Sequence, residues 1–322
     1  MRRSTSSAFF VYQHGAALLI FMLFIFLVAT SWILGQSGGT SARNQLDKAT
    51  ATTMAQAKEA LIGRAATDAN RPGSLTCPDV SNDGVADGVA GNCTSFIGRF
   101  PWKTLDLPEL LDGNGERLWY ALSPGLRDNP AAQPINPQKA LELTLDGTTN
   151  IAAIIFSPGP PLANQNSRPS NAVADYLDGS NNDGDYTYVS GPPSATFNDK
   201  ALAITRDDIF RNVNKRVLAE IRGPDAPGGP SYGLRRYYND FGNFPWADSN
   251  NDGIADVGTS SGNLPYNDLE LKALPPLPPY TWLFPNGWLP LVNYQRLSAS
   301  SARITIGTSN MDVIPCPSSP CP

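Results

Sequence analysis

The sequence predicts an α+β chain: a long N-terminal transmembrane helix followed by a loop-rich unit of one helix plus an antiparallel sheet, with that unit duplicated. Three observations carry this expectation. Residues 16–34 form an apolar run without a charge, about the length a helix needs to cross a hydrocarbon core. Leu46, Thr50, Met54, Ala57, Leu61 and Ala65 recur at three- and four-residue steps, the period of one helix face. Two blocks of sequence then appear twice, in the same order, in the two halves of the chain.

Each element follows from local signals. Arg2 and Arg3 precede the apolar run, so the positive-inside bias keeps the N-terminus cytoplasmic and sends the rest outward. A cleaved signal peptide is the alternative; Ala29-Thr30-Ser31 offers small residues, but the run continues through Trp32, Ile33 and Leu34, which suits a retained anchor. Gly35, Gly38 and Gly39 are expected to loosen the helix, with Thr40 or Ser41 capping a renewed one that ends before Arg71-Pro72-Gly73. Leu118-Trp119-Tyr120-Ala121-Leu122 reads as a strand. So do Leu141, Leu143 and Leu145, which alternate with Glu142 and Thr144, and a more buried strand is expected over 151–156. The last two should pair as a hairpin with a turn longer than two residues. Thr205 can cap a helix over 206–222 that carries Ile209, Phe210, Val213, Val217 and Ile221 on one face. The Pro/Gly-rich stretch at 223–230 is the expected boundary between the two units.

The repeat is specific. Asp79-Val80-Ser81-Asn82-Asp83-Gly84-Val85-Ala86-Asp87 matches Asp248-Ser249-Asn250-Asn251-Asp252-Gly253-Ile254-Ala255-Asp256 nearly position for position. Downstream, Gly98-Arg99-Phe100-Pro101-Trp102-Lys103-Thr104-Leu105 matches Gly262-Asn263-Leu264-Pro265-Tyr266-Asn267-Asp268-Leu269. A helix-like stretch precedes each copy, at 55–66 and 232–239, and 151–156 has a looser counterpart at 303–307.

Short acidic loops of this form supply calcium ligands at alternating positions around a glycine turn. Asp79, Ser81, Asp83, the Val85 carbonyl and Asp87 would serve in the first loop. Asp248, Asn250, Asp252, the Ile254 carbonyl and Asp256 would serve in the second, with calcium as the candidate cofactor. Both lack the closing glutamate of an EF-hand, Ala90 and Thr259 standing in its place. The alternative is an Asx turn, which the same residues form without metal. A third run, from Asp178 to Asp185, is similar but irregular.

Among 322 residues, 28 Gly, 29 Pro and only 16% charged residues describe a loop-rich polar exterior, and a net charge of −5 leaves no basic face for nucleic acid. The four cysteines lie as close pairs, Cys77 with Cys93 and Cys316 with Cys321, and read as two local disulfides. The one histidine is His14. A chain cut behind it would have none, so no Ser-His-Asp or Cys-His catalysis is expected, and the chain is not read as an enzyme.

A basic leader ending in Gln13-His14-Gly15, followed at once by the apolar run, resembles the type IV pilin and type II secretion pseudopilin families. The resemblance covers about the first fifth of the chain. It implies cleavage between Gly15 and Ala16 by a prepilin peptidase, a pilin-like fold in which the long helix lies on a sheet, and assembly with other pilin or pseudopilin subunits. It implies a single-pass inner-membrane protein with its bulk in the periplasm, built into a pilus or pseudopilus. The domains are then a leader at 1–15, a transmembrane or filament-core helix at 16–35, a first pilin-like unit at 36–200, and a helix with a second unit at 201–322. Major pilins carry a glutamate five residues after the cut; here that position is Ile20, which points to a minor or tip-type structural subunit. An anchored periplasmic binding or adhesion module that does not polymerise is the alternative.

Overall fold

The computed structural model describes residues 14–89, 91–129, 134–165, 168–223, 231–272 and 282–316; between 14 and 40 the only side chain described is that of Met22. Leader residues 1–13, the connector at 224–230 and Cys321 lie outside the described residues.

Helix α1 (His14–Thr67) is unbroken over 54 residues and runs straight through Gly35, Gly38 and Gly39, where loosening was expected. Glycine in a helix costs about 1 kcal/mol relative to alanine but removes no backbone hydrogen bond, so it weakens a helix without ending it. Two expectations are corrected here. Among the described residues no helix is long and apolar enough to cross a membrane, so neither a transmembrane helix nor a single-pass inner-membrane placement is supported. Where the side chains of α1 are described, residues 41–49 are exposed and include Arg43, Asp47 and Lys48, a surface suited to water.

The chain divides into two compact units, Met1–Ala49 and Thr50–Pro322. In the second, the end of α1 contributes Met54, Ala57, Leu61 and Ala65 to the core, the face that the periodicity marks. A two-residue hairpin pairs β1 (Gly88–Val89) with β2 (Asn92–Cys93). The first large sheet contains β3 (Ile97–Arg99), β4 (Trp119–Leu122), β5 (Leu143–Leu145), β6 (Thr148–Ser157), β7 (Thr187–Tyr188) and β8 (Lys200–Thr205). Their order is β3-β4-β6-β5-β7, and β8 also pairs with β6. This sheet is mixed rather than antiparallel throughout, because β5 and β7 run parallel. The long segment between β6 and β7 gives the chain room for such a crossover.

The β5–β6 turn is shorter than expected: Leu145 faces Thr148 across Asp146 and Gly147 alone. Both turn residues have positive φ, 50° and 76°, the conformation a two-residue hairpin needs and one that Asp-Gly tolerates. Strand β6 alternates between two cores. Ala153 and Ile155 join the main core, while Ile154 and Phe156 join a smaller cluster with Trp119, Tyr176 and Tyr188. A strand covered on both faces reads as a continuous apolar run, which is why 151–156 lacks a polar alternation.

Helix α2 (Arg206–Arg222) opens with a capping box: Thr205 Oγ1 accepts from the Asp208 amide at 3.2 Å, and Asp208 accepts from the Thr205 amide at 2.9 Å. Lys58 of α1 pairs with the same carboxylate at 2.8 Å. Helix α3 (Gly233–Phe241) precedes the second sheet, ordered β12-β11-β10-β9 from β9 (Ser261–Asn263), β10 (Asn293–Ser298), β11 (Ser301–Ile306) and β12 (Ser309–Val313). The succession β9-β10-β11 is antiparallel, as is β3-β4-β6 in the first sheet. Helix α2 packs against β6 and β8 of the first sheet and β11 and β12 of the second, so residues 50–322 share one core.

Candidate functional site

The two repeated Asp loops fold alike, almost bond for bond. Each begins on a short bridge to the following strand: Asp79 exchanges amide-to-carbonyl bonds with Arg99 (2.9 and 2.6 Å), and Asp248 does so with Asn263 (3.1 and 2.8 Å). Both aspartates are fully buried. Asp79 Oδ1 accepts from the Asn82 amide at 2.6 Å, and its Oδ2 from the Gly84 amide at 2.7 Å. Asp248 Oδ1 accepts from the Asn251 amide at 2.6 Å, and its Oδ2 from Gly253 at 2.7 Å. A buried carboxylate held by two or three amides is stable because its charge is satisfied where it lies.

The remaining positions repeat the scheme. Asp83 Oδ1 accepts from the Val85 amide at 2.7 Å, and Asp252 Oδ1 from the Ile254 amide at 2.8 Å. Asp87 closes its loop by accepting from the Val80 and Ser81 amides at 2.6 and 2.7 Å; Asp256 accepts from the Ser249 amide and hydroxyl at 2.8 and 2.5 Å. Burial pushes the Asp87 carboxyl up, but the Ser81 and Val80 amides and the Ser81 hydroxyl outweigh it and hold the group below its ordinary range. The Ser249 hydroxyl and amide lower Asp256 in the same way. Ser81 Oγ lies 3.4 Å from Asp79 Oδ1, whereas Asn250 Oδ1 accepts from the Asp252 amide at 3.0 Å. Val85 and Ile254 leave their side chains exposed.

Glycine is required in two ways. Gly84 and Gly253 have φ of 87° and 85°, and a Cβ there would stand 2.7 Å from the Trp102 ring or 2.6 Å from the Tyr266 ring. Gly98 and Gly262 instead sit under the loop aspartates, where a Cβ would meet the Asp79 or Asp248 carbonyl at 2.7 or 2.6 Å.

The second repeated block supplies residues that the sequence reading did not assign to the loops. Thr104 Oγ1 accepts from the Ala86 amide at 2.8 Å, and Asp268 does the same for Ala255 at 2.8 Å. Lys103 Nζ donates to the Asp83 carbonyl, and Asn267 Nδ2 donates to the Asp252 carbonyl at 2.8 Å. Their matched places in the two copies were the available signal.

The Cys77–Cys93 disulfide is present and ties the β1–β2 hairpin to the start of the first loop. Cys316 is disulfide-bonded, with its expected partner Cys321 outside the described residues. Gly15 and Ala16 lie in the first turn of α1. The irregular third run does not share the loop geometry. Asp178 accepts from Gln165 Nε2 and the Asn198 amide, both at 2.8 Å, and a 3-10 turn follows at Gly179–Asn182. Among the described residues no group of three or more His, Cys, Asp or Glu side chains is arranged to hold a metal ion. Each loop is tied by its bridge to the strand that follows it, β3 or β9. No protein family, curated protein or solved structure matches this chain.

Proposed function

We propose that the chain is a structural subunit of a helical filament, a minor or tip-type member of the type IV pilin or type II secretion pseudopilin class matured by a prepilin peptidase. One observation carries the reading: α1 is a single 54-residue helix whose stretch up to Ala49 belongs to a unit separate from the compact body. In proteins most helical stability comes from packing of a helix face against partners rather than from propensity. The α1 sequence at 16–34 is apolar and uncharged, and the same helix of neighbouring copies is a partner of matching chemistry. Ile20 in place of an acid argues for low copy number, and the large duplicated body suits an end position.

Co-expression with a prepilin peptidase, followed by mass spectrometry of the amino terminus, tests this. A chain beginning at Ala16 is expected, and Gly15→Phe should retain Met1. Wild-type protein still beginning with Met1, beside a control prepilin that is cut, would end the proposal. A binding or adhesion module that does not polymerise is the second reading, favoured by the hollow beside α2 described next. Its processing would be indifferent to Gly15→Phe.

A further inference from the structure

The geometry points to a binding site for a small apolar zwitterion of dipeptide size in the hollow between the first half of α2 and the β11–β12 turn. The hollow has a volume of about 350 Å³, and Asp207, Phe210, Arg211 and Asn214 of α2 line it together with Leu291 and Ile306. That volume lies at the lower end of the range for small-molecule sites, about 300–1,000 Å³.

Asn214 is the group that needs explaining. It is only 8% exposed, and its buried Oδ1 has no hydrogen-bond partner. A buried amide without a partner is a standing cost to stability, and each such group in a native fold calls for an explanation; this one borders the hollow. Asp207 and Arg211 stand one helical turn apart, both exposed, and no ion pair joins either to another residue among the described residues. Residues four apart on a helix have Cβ atoms roughly 5–6 Å from each other. One helix face thus offers a carboxylate for an ammonium group and, one turn on, a guanidinium for a carboxylate, the two charged ends of a dipeptide. Asn214 would then accept from its peptide N–H, and Phe210, Leu291 and Ile306 would cover its apolar side chains. The inference does not depend on the filament reading, since every lining residue belongs to the unit beginning at Thr50.

Calorimetric titration of the full chain with leucyl-leucine tests it, beside N-acetyl-leucyl-leucine amide, which lacks both charges. Saturable binding of leucyl-leucine is expected, with the capped analogue and Arg211→Gln each weaker by roughly tenfold. Asn214→Leu should abolish binding while raising Tm by roughly 2–4 °C, because it replaces an unpartnered amide with an apolar group. No saturable binding of leucyl-leucine would overturn the proposal, as would equal binding of the capped analogue. A lowered Tm in Asn214→Leu would also overturn it, by showing that the amide serves the fold. Arg211→Gln is exposed, so its unchanged melt separates lost recognition from lost folding.

Discussion

The first and second halves of the body build the same Asp-centred corner and then finish it differently. The strand glycine follows the loop aspartate by 19 positions in the first copy, Asp79 to Gly98, and by 14 in the second, Asp248 to Gly262. The longer copy uses the difference to insert the β1–β2 hairpin, and it is the copy stapled by Cys77–Cys93. Behind the corners the sheets also diverge. β4 and β6 are buried on both faces, because residues between β6 and β8 lay Tyr176, Leu177 and Tyr188 over the outer side. β11 is covered on one face only: Ala302, Ile304 and Ile306 point inward, while Arg303 pairs across the outer face with Asp312 at 2.6 and 2.8 Å. A hydrogen-bonded frame can thus be kept while its surroundings change, since the frame's partners all lie within about 20 residues of one another.

Removing the central carboxylate should break this comparison most severely. Asp79→Ala and Asp248→Ala each strip the acceptor from buried amides and are expected to cost about 3–5 kcal/mol in denaturant unfolding. The loss should be smaller for Asp79→Ala, where the disulfide limits the disorder of the freed loop. Equal losses would show that the staple acts elsewhere. Replacing both Cys77 and Cys93 by serine comes next, at about 3 kcal/mol for a loop closed over 16 residues. Hydrogen exchange should rise at 80–93 and stay unchanged at 249–260.

The covering segment of the first half carries its own signature. Asp199, buried beneath it, is raised to about 7, chiefly by burial. The Asp178 amide, the Asn181 side chain and Arg168 oppose the rise, and the charge of Asp178 adds to it. Asp199 Oδ2 accepts from the Asp178 amide and Asn181 Nδ2 at 2.8 and 2.9 Å, and its Oδ1 is buried without a partner. The folded chain therefore holds a proton there that the unfolded chain has lost between about pH 4 and pH 7, and stability falls as pH rises across that window. Asp199→Asn should gain about 1–2 kcal/mol at pH 8 and nothing near pH 4, which a pH series of thermal melts would read. The smallest effect is expected from chelation. Every loop carboxylate already accepts from an amide, so EDTA should leave Tm unchanged. A fall reversed by calcium would support the cation reading for whichever loop it maps to.

Much of this architecture is written locally. The α2 boundaries follow from Thr205, Asp208 and the spacing of Ile209, Val213 and Val217. The Asp loops follow from a nine-residue pattern, and the first disulfide from two nearby cysteines. The two-residue turn is legible in Asp146-Gly147 itself, although the polar residues after it, Thr148 to Asn150, point to a longer connection. The unbroken course of α1 through its glycines was not legible, because helix propensity sums over many residues and no single glycine decides it.

What the chain alone determined is the set of short-range bonds and periodic faces, because their partners lie within a few turns of backbone. Only the tertiary structure decided that α2 joins both sheets into one core, that residues after β6 cap the first sheet, and that Leu291 and Ile306 reach the hollow beside Asn214. Those contacts join residues tens to more than a hundred positions apart, and complementary shape selects them rather than any repeating pattern in the sequence.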